Sequence, residues 1–273
     1  MGMQSDQKLT WRSPEEIVEI GFQRASVVMM NEAHSSFQRC IRTRQIGKRI
    51  LPVAHQAGVR HLAMEALFPQ FAEESNRTRL LMEIDSGCLS QPEMRGFIQT
   101  ALDLGWTLLP YEADSFKWIA EKRGIELSKA DDQEKYRRWQ EFQPQFMALE
   151  YTNWREEQQA LNIIQVLQAL PPDSPMLVWC GNNHHSKKGG QEWIPMGYQF
   201  KRHRNMDPFV VDQIPPVKFH GINTPWYEEI VESTHELLVQ MGGTAGLLRE
   251  EALDIFLDDS EDAFLFSTEN ELE

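Results

Sequence analysis

Cysteine is scarce in this sequence, and long apolar runs are missing. The 273 residues include only three cysteines, Cys40, Cys88 and Cys180, which lack the spacing of a zinc ribbon and the even number of a disulfide framework. No apolar run approaches the roughly 20 residues of a membrane-spanning helix, and residues 1–13 are too polar for a signal peptide. We therefore expect reduced, buried thiols in a cytoplasmic protein.

Positive charge is also in short supply. The chain has 27 Lys and Arg residues against 41 Asp and Glu residues, for a formal net charge of −14. Because an acidic surface repels phosphate groups, we do not expect nucleic acid or a membrane as a partner. The expected partner is a small-molecule substrate. The sequence indicates no oligomeric state. With 41% hydrophobic residues, the chain suffices for one sizeable core.

Several familiar catalytic motifs are absent from the sequence. There is no Gly-x-Ser-x-Gly nucleophile elbow, no glycine loop for phosphate and no His-Glu-x-x-His zinc motif. The segment 186–190, Ser-Lys-Lys-Gly-Gly, is more typical of a basic turn than of a phosphate site. Any chemistry must therefore come from dispersed acids and histidines.

Short apolar runs alternate with helix-favouring segments along most of the chain. This rhythm predicts an α/β fold with a central, mostly parallel sheet flanked by helices. The predicted strands are Ser26–Met30, Val59–Leu67, Trp106–Ala113, Met176–Cys180, Phe209–Ile214 and Asp262–Ser267. The predicted helices start at Pro14 and cover Phe37–Ala57, with a division at Pro52, then Pro92–Leu104 and Trp226–Met241.

Residues 115–170 interrupt this rhythm. They are mostly charged and helix-favouring, and we interpret them as a helical insertion of two or three helices within a single domain, 1–273. Such an insertion either covers a site or is a solvated excursion without a binding role. In its last helix, Arg155 and Asn162 are seven positions apart and share a face, and the apolar face is predicted at Leu161, Ile164 and Leu167.

Acids and histidines follow four of the predicted strands. Ligands of parallel sheets bind at the carboxyl ends of the strands, so we expect these side chains to meet there. Glu65 lies within an apolar run and must be paired, hydrogen-bonded or shifted in pKa. Alone, each residue fits an ordinary structural role, but their shared position favours a site. The strand-end residues are Glu32, His34, Glu65, Glu112, Asp114, His184 and His185.

Five segments together resemble the erythromycin esterase-like family, whose wider superfamily includes haem-binding lipoproteins and Tiki-type metalloproteases. Gly181 stands where the esterases have a histidine, which His185 would have to replace, and Asn31 stands where they have glycine. The segments are Asn31-Glu32-Ala33-His34, Met64-Glu65-Ala66, the helix from Arg155 to Asn162, Trp179-Cys180-Gly181-Asn182-Asn183-His184 and Trp193-Ile194-Pro195-Met196-Gly197.

The resemblance implies a hydrolase that acts on an ester or related bond. His34 would act as general base on water, with Glu32 and Glu65 orienting it, while Arg155 and His184 stabilise the oxyanion. The residues expected to contact substrate are Glu112, Asp114, Asn162 and His185.

Two alternatives remain open from the sequence. Glu32, His34, Glu65 and His184 are also a plausible ligand set for a metal-dependent hydrolase. The same edge of the sheet could instead bind haem or iron. No cofactor is expected for the favoured mechanism, and a divalent metal or haem belongs to the alternatives.

Overall fold

The computed structural model of the protein describes residues 9–32, 41–65, 67–84, 87–124, 130–213, 225–252 and 260–268. These residues form an α/β fold around one seven-stranded sheet, as predicted. The strand order is β3-β2-β4-β1-β5-β7-β6, and every pairing is parallel except that of β6 with β7. The strands are β1 Val27–Glu32, β2 His61–Met64, β3 Thr107–Pro110, β4 Met176–Gly181, β5 Phe209–Asp212, β6 Thr244–Leu248 and β7 Ala263–Ser267.

Helices cover both faces of this sheet. The first helix begins as predicted, with Ser13 and Glu16 forming a reciprocal capping box. The helices are α1 Pro14–Arg24, α2 Arg42–Gln56, α3 Pro69–Thr78, α4 Pro92–Asp103, α5 Ser115–Arg123, α6 Asp132–Phe142, α7 Leu149–Ala169, α8 Met196–Arg204, α9 Pro225–Ser233 and α10 His235–Gln240. None of these described helices is long and apolar enough to span a membrane.

The two faces of the sheet have separate cores. Helices α1 to α4 pack on one face, against side chains that include Met30, Met64 and Trp179. Helices α7 and α8 pack on the other, against side chains that include Met29, Val178 and Cys180. Because β1 and β4 are buried on both faces, their sequences are continuous apolar runs, which is why the sequence reveals them so clearly.

The helical insertion has two parts. Helices α5 and α6 and the start of α7 form a small core of their own around Trp118, Phe142 and Tyr151. The second half of α7 instead packs on the sheet through Ala160, Ile163 and Ile164. The predicted apolar face was wrong at Leu161, which is exposed, because the sheet lies on the other side of the helix.

Other element predictions need correction. Helix α2 continues through Pro52 without division, and the predicted start of that helix, 37–40, lies outside the described residues. The predicted helix at Trp226–Met241 is two helices separated at Thr234, where the backbone leaves helical geometry. Helices α3 and α8 and strand β6 were not predicted.

The connections that leave the adjacent strands β1 and β4 run on opposite faces of the sheet. The connection from β1 runs through α2 to β2, on one side of the sheet, and the connection from β4 runs through α8 to β5, on the other. Adjacent parallel strands whose connections diverge leave a crevice at their carboxyl ends. The candidate residues that follow β1 and β4 therefore border this crevice.

Candidate functional site

Arg155 joins the ends of two strands. It extends from α7, and its Nε donates to Oε1 of Glu112 at 2.9 Å, while Nη2 contacts the carboxylates of both Glu112 and Glu65. Burial lowers the pKa of Arg155, but the two carboxylates outweigh it and raise the pKa overall. Arg155 is thus a fixed cation at the ends of β2 and β3.

Glu65 is held from two sides. Its Oε2 accepts a hydrogen bond from the backbone N–H of Gly181 at 2.8 Å, and its own N–H donates to the carbonyl of Trp179 at 3.2 Å. Its Oε1 faces Arg155. The expectation that this acid is paired and hydrogen-bonded is confirmed. Since Gly181 ends β4, the carboxylate of Glu65 is fixed at the carboxyl edge of the sheet.

His184 lies in the turn that follows β4, and a carboxylate sets its orientation. Its Nδ1 contacts Oε1 of Glu156, a fully buried residue of α7. The other ring nitrogen, Nε2, is 3.9 Å from Oε1 of Glu65. Burial lowers the pKa of His184, but Glu65 and Glu156 outweigh this, so the net pKa is raised. The imidazole therefore favours its charged form more than an isolated histidine does.

Glu156 is a site residue that the sequence did not single out. Besides His184, its carboxylate accepts the backbone N–H of Met196 at 2.7 Å and Nε1 of Trp193 at 3.3 Å. One carboxylate therefore ties α7 to the turn after β4 and to the start of α8. The sequence signal was its place after Arg155 in the helix that resembles the esterase-like family, where it matches an acid of the family's motif.

The residues predicted to contact substrate near β3 also hold the backbone. Asn162 donates through Nδ2 to the carbonyls of Tyr111 and Glu112, at 3.0 and 3.2 Å. Glu112 accepts from Nε2 of Gln159 at 3.0 Å, and Asp114 caps α5 by accepting from the N–H of Phe116. Asn162 thus supports the loop after β3, and substrate contacts by this group stay a prediction.

Glu32 pairs with a different arginine, Arg44. It ends β1 fully buried, and it accepts from Nε and Nη2 of Arg44 at 2.8 and 2.9 Å and from Nε1 of Trp179 at 2.9 Å. These partners belong to the face that α2 covers. The predicted base, His34, lies outside the described residues, so the geometry between Glu32 and His34 is not part of this description.

The ion pairs bear on the alternative metal set of Glu32, His34, Glu65 and His184. Arg44 contacts the carboxylate of Glu32, and Arg155 contacts that of Glu65. A guanidinium on each carboxylate neutralises the ligand and repels a second cation. Nδ1 of His184 is held by Glu156, so Nε2 is the ring nitrogen left for a ligand. The two ion pairs weigh against the metal set, whose role as ligands stays a prediction.

His185 has surroundings different from those of His184, which contacts Glu156 and Glu65. Its imidazole is fully buried, and neither ring nitrogen has a hydrogen-bond partner. Its ligand nitrogen and carboxylate oxygens of Asp212 and Glu261 lie within 4.8 Å of one another. Burial, together with the nearby His184, lowers the pKa of His185 to about 3. The turn after β4 thus supplies two histidines to two different clusters.

A cleft of about 620 Å³ lies beside the His185 cluster. Its wall includes Asp212, Glu261 and Trp193. The ring of Trp193 also packs edge-on against that of His184, with centroids 6.1 Å apart. The cleft is therefore large enough for a small molecule, and Trp193 connects its wall to His184.

Comparison with solved structures shows the same fold in other proteins. The chain resembles an erythromycin esterase mutant, EreC H289N in its open conformation, with a TM-score of 0.57 and 12% identity over 94% of this chain and 97% of that one. ChaN of Campylobacter jejuni, described with cofacial haem, gives a TM-score of 0.46 and 11% identity over 98% and 100% of the two chains. At 12% identity, the esterase match shows a likeness of fold alone.

A longer protein, described as a bacterial protein toxin, is a further structural match, with a TM-score of 0.39 and 13% identity. The match covers 69% of this chain, which spans only 35% of that toxin's length. No protein-family model matches the sequence. No curated protein is significantly similar to it in sequence.

Proposed function

We propose that the protein is a hydrolase that cleaves an ester or related bond of a small molecule. The observation that carries the proposal is the convergence of Arg155 and His184 on one carboxylate oxygen, Oε1 of Glu65. Two positively charged or hydrogen-bonding groups, fixed beforehand at a crevice, suit the stabilisation of a developing oxyanion. The fold shared with an erythromycin esterase agrees with this chemistry.

The ion pairs of Arg155 position its guanidinium and leave the donor Nη1 for another group. Its bonds to Glu65 and Glu112 use Nε and Nη2, and none of its bonds within the described chain uses Nη1. The side chain is 22% exposed, so Nη1 is accessible to a substrate oxygen. The carboxylates of Glu65 and Glu112 prevent the guanidinium from reorienting during the reaction.

His184 acts beside Arg155 through Nε2. Glu156 holds Nδ1, which fixes the ring orientation as carboxylates do in other histidine pairs. Nε2 then donates to the carbonyl oxygen of the substrate as negative charge develops there. Glu156 is a positioning residue in this scheme, because it acts through the imidazole.

We assign the general base to His34. It follows Glu32 by two positions, and Glu32 ends β1, the strand adjacent to β4. His34 takes a proton from water as the water oxygen bonds to the carbonyl carbon. The tetrahedral intermediate then breaks its bond to the leaving oxygen, which receives that proton and departs as an alcohol.

A panel of chromogenic esters and amides of small acids tests the proposal. We expect His34→Ala to lower kcat by about 10²–10⁴-fold and His184→Asn by about 10²–10³-fold. The matched control is His203→Asn, which alters a partly exposed histidine of α8 that contacts Glu157 at 2.9 Å. We expect the control to retain wild-type activity, and circular dichroism to show that all three variants fold.

A chelator separates this mechanism from metal-dependent hydrolysis. Because His34 activates the water directly, we expect activity to persist after dialysis against a chelator. Full loss on chelation, reversed by a divalent ion, would transfer the activation of water to a metal. A wild-type chain that hydrolyses no member of the panel would overturn the proposed function itself.

A further inference from the structure

His185 is a buried polar side chain whose hydrogen-bonding capacity is unused. It has no exposed surface, and both ring nitrogens lack a partner. Buried polar groups in folded proteins nearly always have partners, so an orphaned imidazole calls for a specific explanation. The mechanism proposed above does not use this residue.

Two carboxylates lie where a missing partner would bind. Asp212 ends β5, and Glu261 lies shortly before β7. Their oxygens and the ligand nitrogen of His185 are within 4.8 Å of one another, and both acids are partly exposed. The three groups are remote in sequence, and the fold brings them together at the carboxyl end of β5.

The backbone and neighbouring side chains hold this cluster in place. Nδ2 of Asn31 donates to Oδ1 of Asp212 at 2.8 Å. Asn31 is fixed in turn by Gln213, whose N–H donates to Oδ1 of Asn31 at 2.9 Å. Hydrogen bonds of this kind orient the carboxylates of metal sites.

Lys187, in the same turn, pairs with acids outside the cluster. Nζ of Lys187 contacts Asp262 at 2.7 Å and Asp207 at 3.3 Å. A neutral imidazole and two carboxylates together carry two negative charges, which match a divalent cation. An imidazole ligand favours a first-row transition metal over Mg²⁺ or Ca²⁺, which prefer oxygen ligands alone.

We propose that His185, Asp212 and Glu261 form a binding site for a first-row transition-metal dication such as Zn²⁺. Ligand atoms about 2.1 Å from one ion lie at most about 4.2 Å apart. Small rotations of Asp212 and Glu261, the two partly exposed ligands, therefore suffice to close the site. Both acids also line the 620 Å³ cleft, which gives the ion an entry path and supplies water to its remaining positions.

Calorimetric titration of the full-length, chelator-treated protein with Zn²⁺ tests the site. We expect one saturable site, which Glu261→Gln and Asp212→Asn each weaken at least about tenfold. These replacements keep size and remove charge from partly exposed positions, so the fold should survive. The matched control, Glu192→Gln, removes an exposed acid from the wall of the same cleft and should leave affinity unchanged.

A second measurement tests whether His185 is one of the metal ligands. Co²⁺ bound in place of Zn²⁺ should give a visible absorption band that His185→Gln abolishes or shifts. Absence of saturable Zn²⁺ binding, or equal affinity in the wild type and both ligand variants, would overturn the proposal. Equal weakening in Glu192→Gln would also overturn it, because the acidity of the cleft would then explain the binding. None of these readings depends on hydrolytic activity.

Discussion

Glu32 ends β1 and Glu65 directly follows β2, the two strands that flank β4, and arginines of different helices pair with the two carboxylates. Arg44 of α2 pairs with Glu32, and Arg155 of α7 pairs with Glu65. Only the second pair is partly exposed, with 22% of the arginine side chain accessible. The first pair is almost completely buried. A chemically similar pairing is therefore closed to solvent at β1 and open to it at β2.

We expect Arg44→Ala to destabilise the protein by about 3–5 kcal/mol, because it removes a guanidinium that makes two hydrogen bonds to the buried carboxylate of Glu32. The same helix supplies a matched control in Arg49, which pairs with Glu15 at the surface and is 44% exposed. Arg49→Ala should cost less than about 1 kcal/mol. Urea denaturation monitored by tryptophan fluorescence measures both. Similar losses in the two variants would contradict the structural role assigned to Arg44.

The thiol of Cys180 should be unreactive in the folded protein. It lies in the core beneath α7, and burial raises its pKa well above the ordinary value, with Glu65 and Glu156 adding to the effect. A thiol that stays protonated and inaccessible is a poor nucleophile. We expect iodoacetamide to modify the Cys180 peptide only in denaturant, as detected by mass spectrometry. Rapid modification under native conditions would contradict this burial.

At the scale of elements, the turn between β4 and α8 organises both clusters. It places His184 against Glu156 of α7 and His185 beside Asp212 of β5. Gly197, in the first turn of α8, lies directly against it and donates its N–H to the carbonyl of His184 at 2.8 Å. A Cβ at Gly197 would lie 1.9 Å from the carbonyl oxygen of His185. Only glycine permits this approach.

Gly197→Ala should therefore displace the turn. We expect a loss of stability of about 1–3 kcal/mol or more, the usual cost of overpacking, together with weaker Zn²⁺ binding and lower hydrolytic activity. Gly96→Ala in α4 is the matched control, because a Cβ there meets nothing within 4 Å. Alanine at this helical position should be neutral or stabilising by up to about 1 kcal/mol. Thermal unfolding and the two functional assays compare the variants.

The sequence predicted elements where one physical signal dominated. Apolar runs such as those of β1 and β4 are conspicuous because both faces are buried. Strand β6 was missed because two of its residues, Ala245 and Gly246, carry little strand preference, and pairing with β7 defines it. The face of α7 could not be predicted either, since which side meets the sheet depends on tertiary packing.

The same limit applies to the site. The pairing of Glu65 follows from its apolar surroundings, and its arginine was suggested by position on the α7 helix. Glu156 was overlooked because a glutamate in a charged helix is usually solvated, and only the fold places it under the turn after β4. The cluster of His185, Asp212 and Glu261 is invisible in the sequence, because long-range topology alone brings its three members together.

For the whole molecule, the strand order explains where the chemistry is. β4 inserts between β2 and β1, so the groups that follow these strands meet at one carboxyl edge. An α/β sheet with this edge was predictable from the alternation of strands and helices. The insertion of β4 between earlier strands was not, because apolar runs carry no information about which neighbours they take.

The position of β4 also decides when the fold can form. The hydrogen bond from Trp179 to Glu32 joins residues 147 positions apart, and β1 pairs with β4 over its whole length. At roughly 5–20 residues per second of synthesis, the amino-terminal strand waits about 7–30 s for its central neighbour. Ribosome-bound chains arrested before Met176 should therefore be digested readily by protease. In chains extended beyond the last strand, β1, β2 and β4 should become protected together. Stepwise protection of β1 and β2 before β4 emerges would show that the amino-terminal strands fold on their own.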